Sequence, residues 1–243
     1  MPRLTIRNVE THFDDEGRGS PLLLVHGILV SAREWEDVEP LLARDLRVIA
    51  PDLPGFGRSA KPIDFPYGRV GYCEHLVSLL DELGIEKATV VGHSMGAGIA
   101  AELAARSPER VDKLVLIDAH CYPLDLNLKA RLPLMPVVGR FVFTKLYGRA
   151  LFRDYFKNDV WNGEGPPSWD RVDRFYDDFD PPDARDAAHR VLLATVDIAP
   201  LAALLPSIQA PTLVIWGAND NLIPLRLGER LARDIPGARL EVI

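Results

Sequence analysis

The sequence predicts an α/β protein built on a mostly parallel, doubly wound sheet. Short apolar runs such as PLLLVHG and DKLVLIDA alternate with segments of helical spacing, which is typical of a sheet that carries helices on both faces. The runs are continuously apolar rather than alternating, as expected for strands that are buried on both sides. A chain of 243 residues with 47% hydrophobic content is long enough to bury a core of this kind.

The elements of the first half of the chain follow from local patterns. In chain order the segments are a hairpin or two short strands in LTIRNVETHF, a strand in PLLLVHG, a helix in SAREWEDVEPLLARD, a strand in LRVIAPDLPG, a helix over residues 68–83, a strand in ATVVGHS, a helix in GAGIAAELAARS and a strand in DKLVLIDA. The helices show helical spacing of apolar residues, and glycine or proline marks several of the connections.

The alternation of strands and helices stops after DKLVLIDA. The interval 119–205 has no β-branched apolar run and is interrupted by prolines. Its predicted helical fragments lie around Leu128 and in residues 141–151 and 187–196. We therefore predict a helical lid at 119–205, inserted between two parts of the core at 1–118 and 206–243. The second part resumes the alternation with a strand in PTLVIWG, a helix in LRLGERLARDI and a strand in ARLEVI.

Composition and charge argue against several classes of function. The 28 basic and 35 acidic residues give a net charge of −7, which disfavours a general affinity for nucleic acid or for an anionic membrane. The two cysteines, Cys73 and Cys121, form neither a disulfide framework nor a zinc motif, and they favour a reducing compartment. The sequence shows no secretory signal and no apolar run of about 20 residues. We expect a cytoplasmic protein without a metal.

The stretch VVGHSMGAG contains Gly92-His93-Ser94-Met95-Gly96, which matches the pattern G-x-S-x-G. An apolar strand precedes it and an alanine-rich helix follows, as the motif requires. Because the strand must reverse into a helix at a single residue, Ser94 is forced into a strained turn that lifts its hydroxyl from the backbone. Glycines on both sides avoid a collision. The pattern indicates a nucleophilic serine, and the alternative is a Ser94 that only caps the helix.

Four longer motifs stand at the ends of predicted strands. They are LLLVHGILVSAREW, VIAPDLPGFGRSAKP, VVGHSMGAG and PTLVIWGANDNLIP. In this order they resemble the α/β-hydrolase family, which includes carboxylesterases and meta-cleavage hydrolases. The resemblance covers nearly all of the chain. It implies the α/β-hydrolase fold with a lid after the sixth strand, and chemistry that needs no cofactor.

The resemblance implies a role for five residues. Ser94 is the nucleophile, and the backbone amides of Ile28 and Met95 form the oxyanion hole, the pair of donors that stabilises negative charge on the substrate's carbonyl oxygen. Asp220, in the loop after the seventh strand, orients the general base. Asp118, at the end of the sixth strand, is the alternative acid, because some relatives carry the acid there.

Other residues near these motifs have two interpretations each. His26 is expected to brace the loop after the third strand, and His93 to pack beneath the nucleophile. The candidates for an apolar acyl pocket are Met95, Trp35, Phe56, Trp161 and Trp169. Packing within the core and the lid is the other interpretation of each. We assign Trp35 and Trp161 to substrate binding.

The general base is not evident in the sequence. The family carries a histidine just past the eighth strand, whereas ARLEVI ends at Ile243 and no histidine follows Asp220. Four explanations are open. The sequence lacks a C-terminal loop and helix of roughly 25–35 residues, a second chain supplies the histidine, a resident histidine such as His120 substitutes, or the chain is not catalytic.

Together these assignments predict a serine hydrolase that cleaves small-molecule carboxylic esters through an acyl-enzyme. A nucleophilic serine argues against dehalogenase and epoxide hydrolase activities, because those relatives carry aspartate at this position. Hydrolysis of lactones, thioesters or carbon–carbon bonds, and perhydrolysis, stay compatible with the motifs. The alternative from another class is a non-catalytic scaffold of the same fold that binds a small ligand.

Overall fold

An eight-stranded sheet forms the centre of the molecule, in the strand order β1-β2-β4-β3-β5-β6-β7-β8. A computed structural model describes residues 2–124, 131–135, 138–163, 165–196 and 198–243 of the chain. The strands are β1 Arg3–Ile6, β2 Val9–Gly17, β3 Ser20–Val25, β4 Leu46–Pro51, β5 Ala88–His93, β6 Val111–Ile117, β7 Thr212–Trp216 and β8 Arg239–Val242. β1 pairs with β2, and β2 with β4, in antiparallel fashion, and the other neighbours are parallel. The predicted mostly parallel α/β fold is confirmed.

Helices connect the parallel strands. The α-helices in the described part of the chain are α1 Glu39–Leu42, α2 Arg69–Glu82, α3 Met95–Arg106, α4 Val138–Phe141, α5 Arg149–Tyr155, α6 Trp169–Phe179, α7 Pro182–Thr195, α8 Ala199–Leu204 and α9 Leu225–Asp234. Short 3₁₀ helices lie at Ala32–Trp35, Pro108–Arg110, Leu132–Leu134 and Leu205–Ser207, and π-helical turns at Val142–Leu146 and Phe156–Val160.

The continuous apolar run of β3 is explained by burial on both faces of the sheet. Successive side chains of a strand point to opposite faces. Leu23 and Val25 belong to the larger hydrophobic cluster, whereas Leu22 and Leu24 belong to a smaller one that also contains Trp35. These four side chains are at most 4% exposed. A substitution by a polar residue on either face therefore buries an unpaired polar group.

The segment SAREWEDVEPLLARD differs from the single helix that its spacing predicts. It forms the 3₁₀ helix Ala32–Trp35 and, after a break, the one-turn helix α1, in whose first turn Pro40 lies. Proline has no N–H to donate and its ring clashes with the carbonyl four residues earlier, so a helix from Ala32 cannot continue through it. Proline is tolerated where a helix begins, and α1 begins there.

The region between β6 and β7 is helical where it is described. It contains α4 to α8 and no strand among its described residues. Val172 and Phe175 of α6 and Val191 of α7 join the larger hydrophobic cluster of the core. The predicted fragment around Leu128 lies outside the described residues. The proposed boundaries of a lid at 119–205 stay a prediction.

No single helix within the described ranges is long and apolar enough to cross a membrane. The pair Pro182–Thr195 and Ala199–Ser207, bent by 53°, reaches the required length and composition only when its two parts are taken together.

The end of β8 lies beside the loop that follows β7. The amide of Ile243 donates to the carbonyl of Trp216 at 2.9 Å, and the amide of Ala218 donates to the carbonyl of Ile243 at 2.7 Å. Ile243 is therefore held next to the loop that contains Asp220.

Candidate active site

Ser94 stands at the turn between β5 and α3 in a strained backbone conformation. Its φ of 52° and ψ of −116° are unusual for a residue with a side chain. The Ser94 amide donates to Ile117 O at 2.9 Å, and its carbonyl accepts from the amides of His120 and Ala97 at 3.0 and 3.1 Å. Strand β6 and helix α3 thus hold this conformation from both sides.

The glycines of the motif are required by close backbone contacts. A Cβ on Gly92 would lie 2.4 Å from the carbonyl oxygen of Gly96, and a Cβ on Gly96 would lie 2.2 Å from the carbonyl oxygen of Val25. Real Cβ atoms do not approach other atoms this closely, so either substitution displaces the turn. The Ser94 hydroxyl makes no capping hydrogen bond to α3. The pure N-cap interpretation of Ser94 therefore lacks the bond that defines it.

The loop after β3 is fixed by the buried side chain of His26. The amide of Leu53 donates to Nε2 of His26 at 3.0 Å, so Nε2 is the acceptor and Nδ1 carries the proton. Nδ1 then donates to the carbonyl of Gly27 at 2.7 Å. Burial lowers the pKa of His26, which favours this neutral form although Asp52 opposes it. These two hydrogen bonds are consistent with the predicted role of His26 in bracing the loop after β3.

The Gly27 carbonyl belongs to the same peptide unit as the amide of Ile28. Because the C=O and N–H of a trans peptide point in opposite directions, fixing the carbonyl also fixes the direction of the Ile28 amide. A Cβ placed on Gly27 would lie 3.5 Å from Cβ of Ser94, so this loop packs against Ser94. The described hydrogen bonds use neither the Ile28 amide nor the Met95 amide. Leu29 continues the loop at a φ of 63°.

Glu34 links this loop to the turn at Ser94, and the sequence did not reveal it. Its Oε2 accepts the amide of Gly27 at 3.0 Å, and its Oε1 lies 2.7 Å from Nδ1 of His93. Its only sequence signal is an acid within three positions of the HGILVS loop. His93 forms an ion pair with Glu34. The expected packing of His93 beneath the nucleophile stays a prediction.

The charges of this pair support each other. Burial disfavours the charge of His93, but Glu34, followed by Asp118 and Asp220, outweighs it and raises the pKa of His93 to about 8. Burial likewise disfavours the charge of Glu34, but His93 outweighs it and the pKa of Glu34 is lowered. The two side chains are 31% and 18% exposed, so water screens the pair in part.

The two candidate acids meet at the carboxyl ends of β6 and β7. Oδ1 of Asp220 accepts the amides of Leu222 and Ile223 at 2.7 and 2.8 Å, which fixes its carboxylate in the loop. Oδ1 of Asp118 accepts the amide of Gly217 at 2.9 Å, and a Cβ placed on Gly217 would lie 3.9 Å from both Oδ1 of Asp118 and Cβ of Asp220. Burial, and then the charge of Asp220, raise the pKa of Asp118 although the Gly217 amide lowers it. Asp118 therefore keeps a proton more readily than an ordinary aspartate does.

All six histidines lie in the described part of the chain, and none of the described hydrogen bonds joins one to Asp118, Asp220 or the Ser94 hydroxyl. His120, the predicted resident substitute, contacts Ser94 through its backbone amide only. Burial, and then Arg69, lower the pKa of its ring to about 4. The other side chains have partners elsewhere: His12 with Glu10, His26 with Gly27 and Leu53, His75 with Thr11, His93 with Glu34 and His189 with Pro133.

The two tryptophans that we assigned to substrate binding have different surroundings. Trp35 is 7% exposed and packs in the smaller hydrophobic cluster, which corresponds to the core-packing interpretation. Trp161 is 41% exposed and donates from Nε1 to Gly165 O. Its neighbour Asn162 donates to the carbonyl of Asn219 at 2.5 Å, beside Asp220. Trp161 thus adjoins a residue that contacts the acid loop, and the roles of Trp161 and Trp35 in substrate binding stay predictions.

An apolar crevice separates the loop after Ile28 from helices α6 and α7. Its lining residues are Leu29, Val30, Gly55, Phe56, Gly57, Phe175, Asp178, Phe179, Ala184 and Ala188. No group of three or more His, Cys, Asp or Glu side chains in the described ranges is arranged to hold a metal ion.

Comparison with known proteins agrees with this architecture. A family model described as alpha/beta hydrolase fold matches residues 20–243. A 2-hydroxymuconate semialdehyde hydrolase of Pseudomonas sp. (strain CF600) is 35% identical over 243 residues, which cover 96% of this chain and 82% of that protein. An uncharacterized protein of Mycobacterium tuberculosis (strain ATCC 25618 / H37Rv) is 31% identical over 263 residues, 99% of this chain and 74% of that protein.

A solved structure shows the same fold. The meta-cleavage product hydrolase from Pseudomonas fluorescens IP01 superposes with a TM-score of 0.82 at 26% identity, covering 100% of this chain and 89% of that one. The matched family model, the curated relatives and the shared fold agree, and the chain belongs to the alpha/beta hydrolase family.

Proposed function

We propose that the protein is a serine hydrolase that cleaves carboxylic esters through an acyl-enzyme intermediate. The observation that carries the proposal is the position of Ser94, held at a φ of 52° at the N-terminus of α3 with its hydroxyl unused for capping. The free amides and the positive end of the helix dipole favour negative charge at this position. A serine in this place suits attack on an acyl carbon better than a structural role.

The oxyanion is proposed to bind between the amides of Ile28 and Met95. Neither amide has a partner in the described hydrogen bonds. The Ile28 amide follows Gly27, which packs against Ser94. Two donors that are already oriented stabilise the tetrahedral intermediate without reorganisation, and removal of one such donor typically costs about a hundredfold or more in kcat.

Asp220 is proposed as the acid that orients the general base. Two backbone amides fix its Oδ1, so its second oxygen is available to a histidine. Asp118 is the alternative acid, at the same edge of the sheet. We propose that the base is a histidine other than the six of these 243 residues. The support is that the described contacts give the side chains of His12, His26, His75, His93 and His189 other partners.

The charge of the site favours a neutral ester over a substrate that carries a carboxylate. Glu34, Asp118 and Asp220 all favour the positive charge of His93, so acidic side chains outnumber this cation there. An anionic substrate would meet net repulsion there, whereas a neutral ester would not. We propose that Trp161 contacts the substrate near Asp220.

Cleavage of a carbon–carbon bond is the second candidate. The 2-hydroxymuconate semialdehyde hydrolase of Pseudomonas is 35% identical to this chain, which favours a substrate of that type. The charge of the site therefore favours a neutral ester, whereas the sequence identity to this relative favours a carbon–carbon bond substrate. Both reactions would use Ser94 as the nucleophile. A direct comparison of rates with the two substrate classes decides between them.

The test is turnover of p-nitrophenyl butyrate and of 2-hydroxymuconate semialdehyde by the full-length protein from its gene. We expect the ester to be cleaved with the higher kcat/KM, and Ser94→Ala to lower that rate by at least about a thousandfold. Ser78→Ala is the matched control, since Ser78 is half-buried in α2 and its hydroxyl donates to Glu74 O. Activity retained by Ser94→Ala contradicts the proposal. No activity, together with no labelling of Ser94 by a fluorophosphonate, favours the non-catalytic scaffold.

A further inference from the structure

The carboxylate of Glu34 joins two loops that converge on the proposed nucleophile. One oxygen accepts the amide of Gly27 at 3.0 Å, and the other lies 2.7 Å from Nδ1 of His93, the residue before Ser94. Glu34 itself lies in the 3₁₀ helix Ala32–Trp35, outside both loops. It therefore acts as a bridge from a third segment.

Gly27 is held at both of its polar backbone groups. Its amide donates to Glu34, and its carbonyl accepts from Nδ1 of the His26 ring. A glycine without such contacts has more backbone freedom than any other residue. With both groups held, the peptide between Gly27 and Ile28 has one orientation, and the Ile28 amide has one direction.

We infer that Glu34 is a positioning residue of the oxyanion hole, whose carboxylate fixes Gly27 against the turn at Ser94 and so sets the direction of the Ile28 amide. This inference rests on the proposed function, because it concerns the same oxyanion hole. Glu34 makes no contact with the substrate in this account. It acts through Gly27 and His93.

A carboxylate suits this position because it must accept two donors at once. The Gly27 amide and protonated His93 each need an acceptor, and a carboxylate offers two oxygens whereas an amide side chain offers one. The charged groups that act on His93 are Glu34 from the 3₁₀ helix, Asp118 from the end of β6 and Asp220 from the loop after β7. Of these, Glu34 alone is hydrogen-bonded to the ring.

The segment that carries Glu34 is also fastened to helix α6. Oε1 of Glu36 accepts from Arg171 and Arg174 at 2.9 and 2.6 Å, and Ser31 donates to Asp178 at 3.2 Å. These contacts hold the 3₁₀ helix from the outer side, while Glu34 reaches inward. The position of the carboxylate is thus supported independently of the Gly27 and His93 contacts.

The test uses Glu34→Ala and Glu34→Gln in the full-length protein from its gene. The readouts are kcat and KM for p-nitrophenyl butyrate, and the inhibition constant of a trifluoromethyl ketone, which forms a tetrahedral adduct with the serine. For Glu34→Ala we expect kcat to fall by roughly thirtyfold, KM to change by less than about threefold, and inhibitor affinity to fall in proportion to kcat/KM. For Glu34→Gln we expect partial rescue, because its amide oxygen still accepts from Gly27.

Glu39→Ala is the matched control, five positions further along the chain. Glu39 is also a largely buried carboxyl, but its Oε1 has no hydrogen-bond partner and it lies in α1. We expect its kcat and inhibitor affinity to stay within about twofold of the parent. Thermal unfolding followed by circular dichroism identifies a variant that fails to fold, and in that case the Glu34→Gln variant alone decides.

Three results overturn the inference: a loss for Glu34→Ala no greater than for Glu39→Ala, an effect on KM alone, or a loss of kcat with unchanged inhibitor affinity. The failure of the proposed function gives a different result, namely full activity in Ser94→Ala. That outcome would remove the oxyanion role of the site together with the role of Glu34.

Discussion

Nδ1 of His93 lies 2.7 Å from Oε1 of Glu34, although 59 positions separate the two residues in the chain. The ion pair stands directly before the turn at Ser94, the proposed nucleophile, and links this turn to the segment that follows the loop after β3. Because His93 is charged only while it is protonated, the contribution of this pair to stability depends on pH.

We expect the His93–Glu34 pair to lose its stabilising effect as the pH rises through about 8. Burial opposes the charge of His93, but Glu34 outweighs it, and the folded pKa is about 8 against an ordinary value of 6.5. The folded protein thus holds a proton that the unfolded chain releases, so the contribution is fully present below pH 6.5 and is lost at higher pH. The loss is about 1–2 kcal/mol.

The measurement is urea unfolding at pH 6 and at pH 9 for the parent and for His93→Gln. The parent should lose more free energy of unfolding between the two pH values than the variant does. Equal losses would show that His93 does not titrate in this range.

Glu39 also makes stability fall as the pH rises, but here burial of a charge destabilises the folded state, and no favourable ion pair is lost. Burial, followed by Asp14 and Glu16, raises the pKa of its carboxyl to about 7. The folded state therefore keeps a proton that the unfolded chain releases near pH 4.5, and stability falls as the pH rises from about 4.5 through 7. Glu39→Gln removes this cost, and we expect its Tm at pH 8 to rise by a few degrees. An unchanged or lower Tm at pH 8, in a thermal scan that also includes pH 4, contradicts the assignment.

The roles of the two acids can be separated by mutation. Asp220 is fixed by two amides through one oxygen, whereas Asp118 is the member with the raised pKa. We expect Asp220→Asn to lower kcat for p-nitrophenyl butyrate by about a hundredfold or more, since an amide orients the base in the wrong tautomer. Asp118→Asn should cost about tenfold or less. The reverse order would make Asp118 the catalytic acid.

Gly27 tests how closely the loop after β3 must approach the nucleophile. A Cβ there would lie 3.3 Å from Nδ1 of His93 and 3.5 Å from Cβ of Ser94, so the loop must shift by a few tenths of an ångström. We expect Gly27→Ala to lower kcat by about tenfold, because small displacements of catalytic groups are costly. Gly68→Ala is the control, since a Cβ at Gly68 meets nothing within 4 Å. Equal kinetics of the two variants would show that the contact is not limiting.

The sequence predicted the parts of this protein that depend on local pattern. The buried strand β3, the strained turn at Ser94 and the glycines around it follow from short-range steric rules. The break before α1 was missed because the apolar spacing outweighed Pro40 in the prediction. The pattern of apolar and polar residues also could not show whether Trp35 packs in the core or lines a substrate pocket.

Glu34 could not be predicted because its role depends on tertiary contacts. Its partners are Gly27, seven positions earlier, and His93, 59 positions later, and nothing in the local sequence brings the three together. The proximity of Asp118 and Asp220 is of the same kind, since β6 and β7 are adjacent in the sheet but distant in the chain. The sequence predicted the two acids as alternatives, and the structure places them close to each other.

The central claim is that Ser94 carries the acyl group during turnover. The most direct test is rapid acid quenching of the full-length protein during hydrolysis of p-nitrophenyl butyrate, followed by mass spectrometry of its peptides. We predict a butyryl adduct on the peptide that contains Ser94, absent from Ser94→Ala. Hydrolysis that proceeds with the adduct on another residue, or at full rate in Ser94→Ala, would contradict the account.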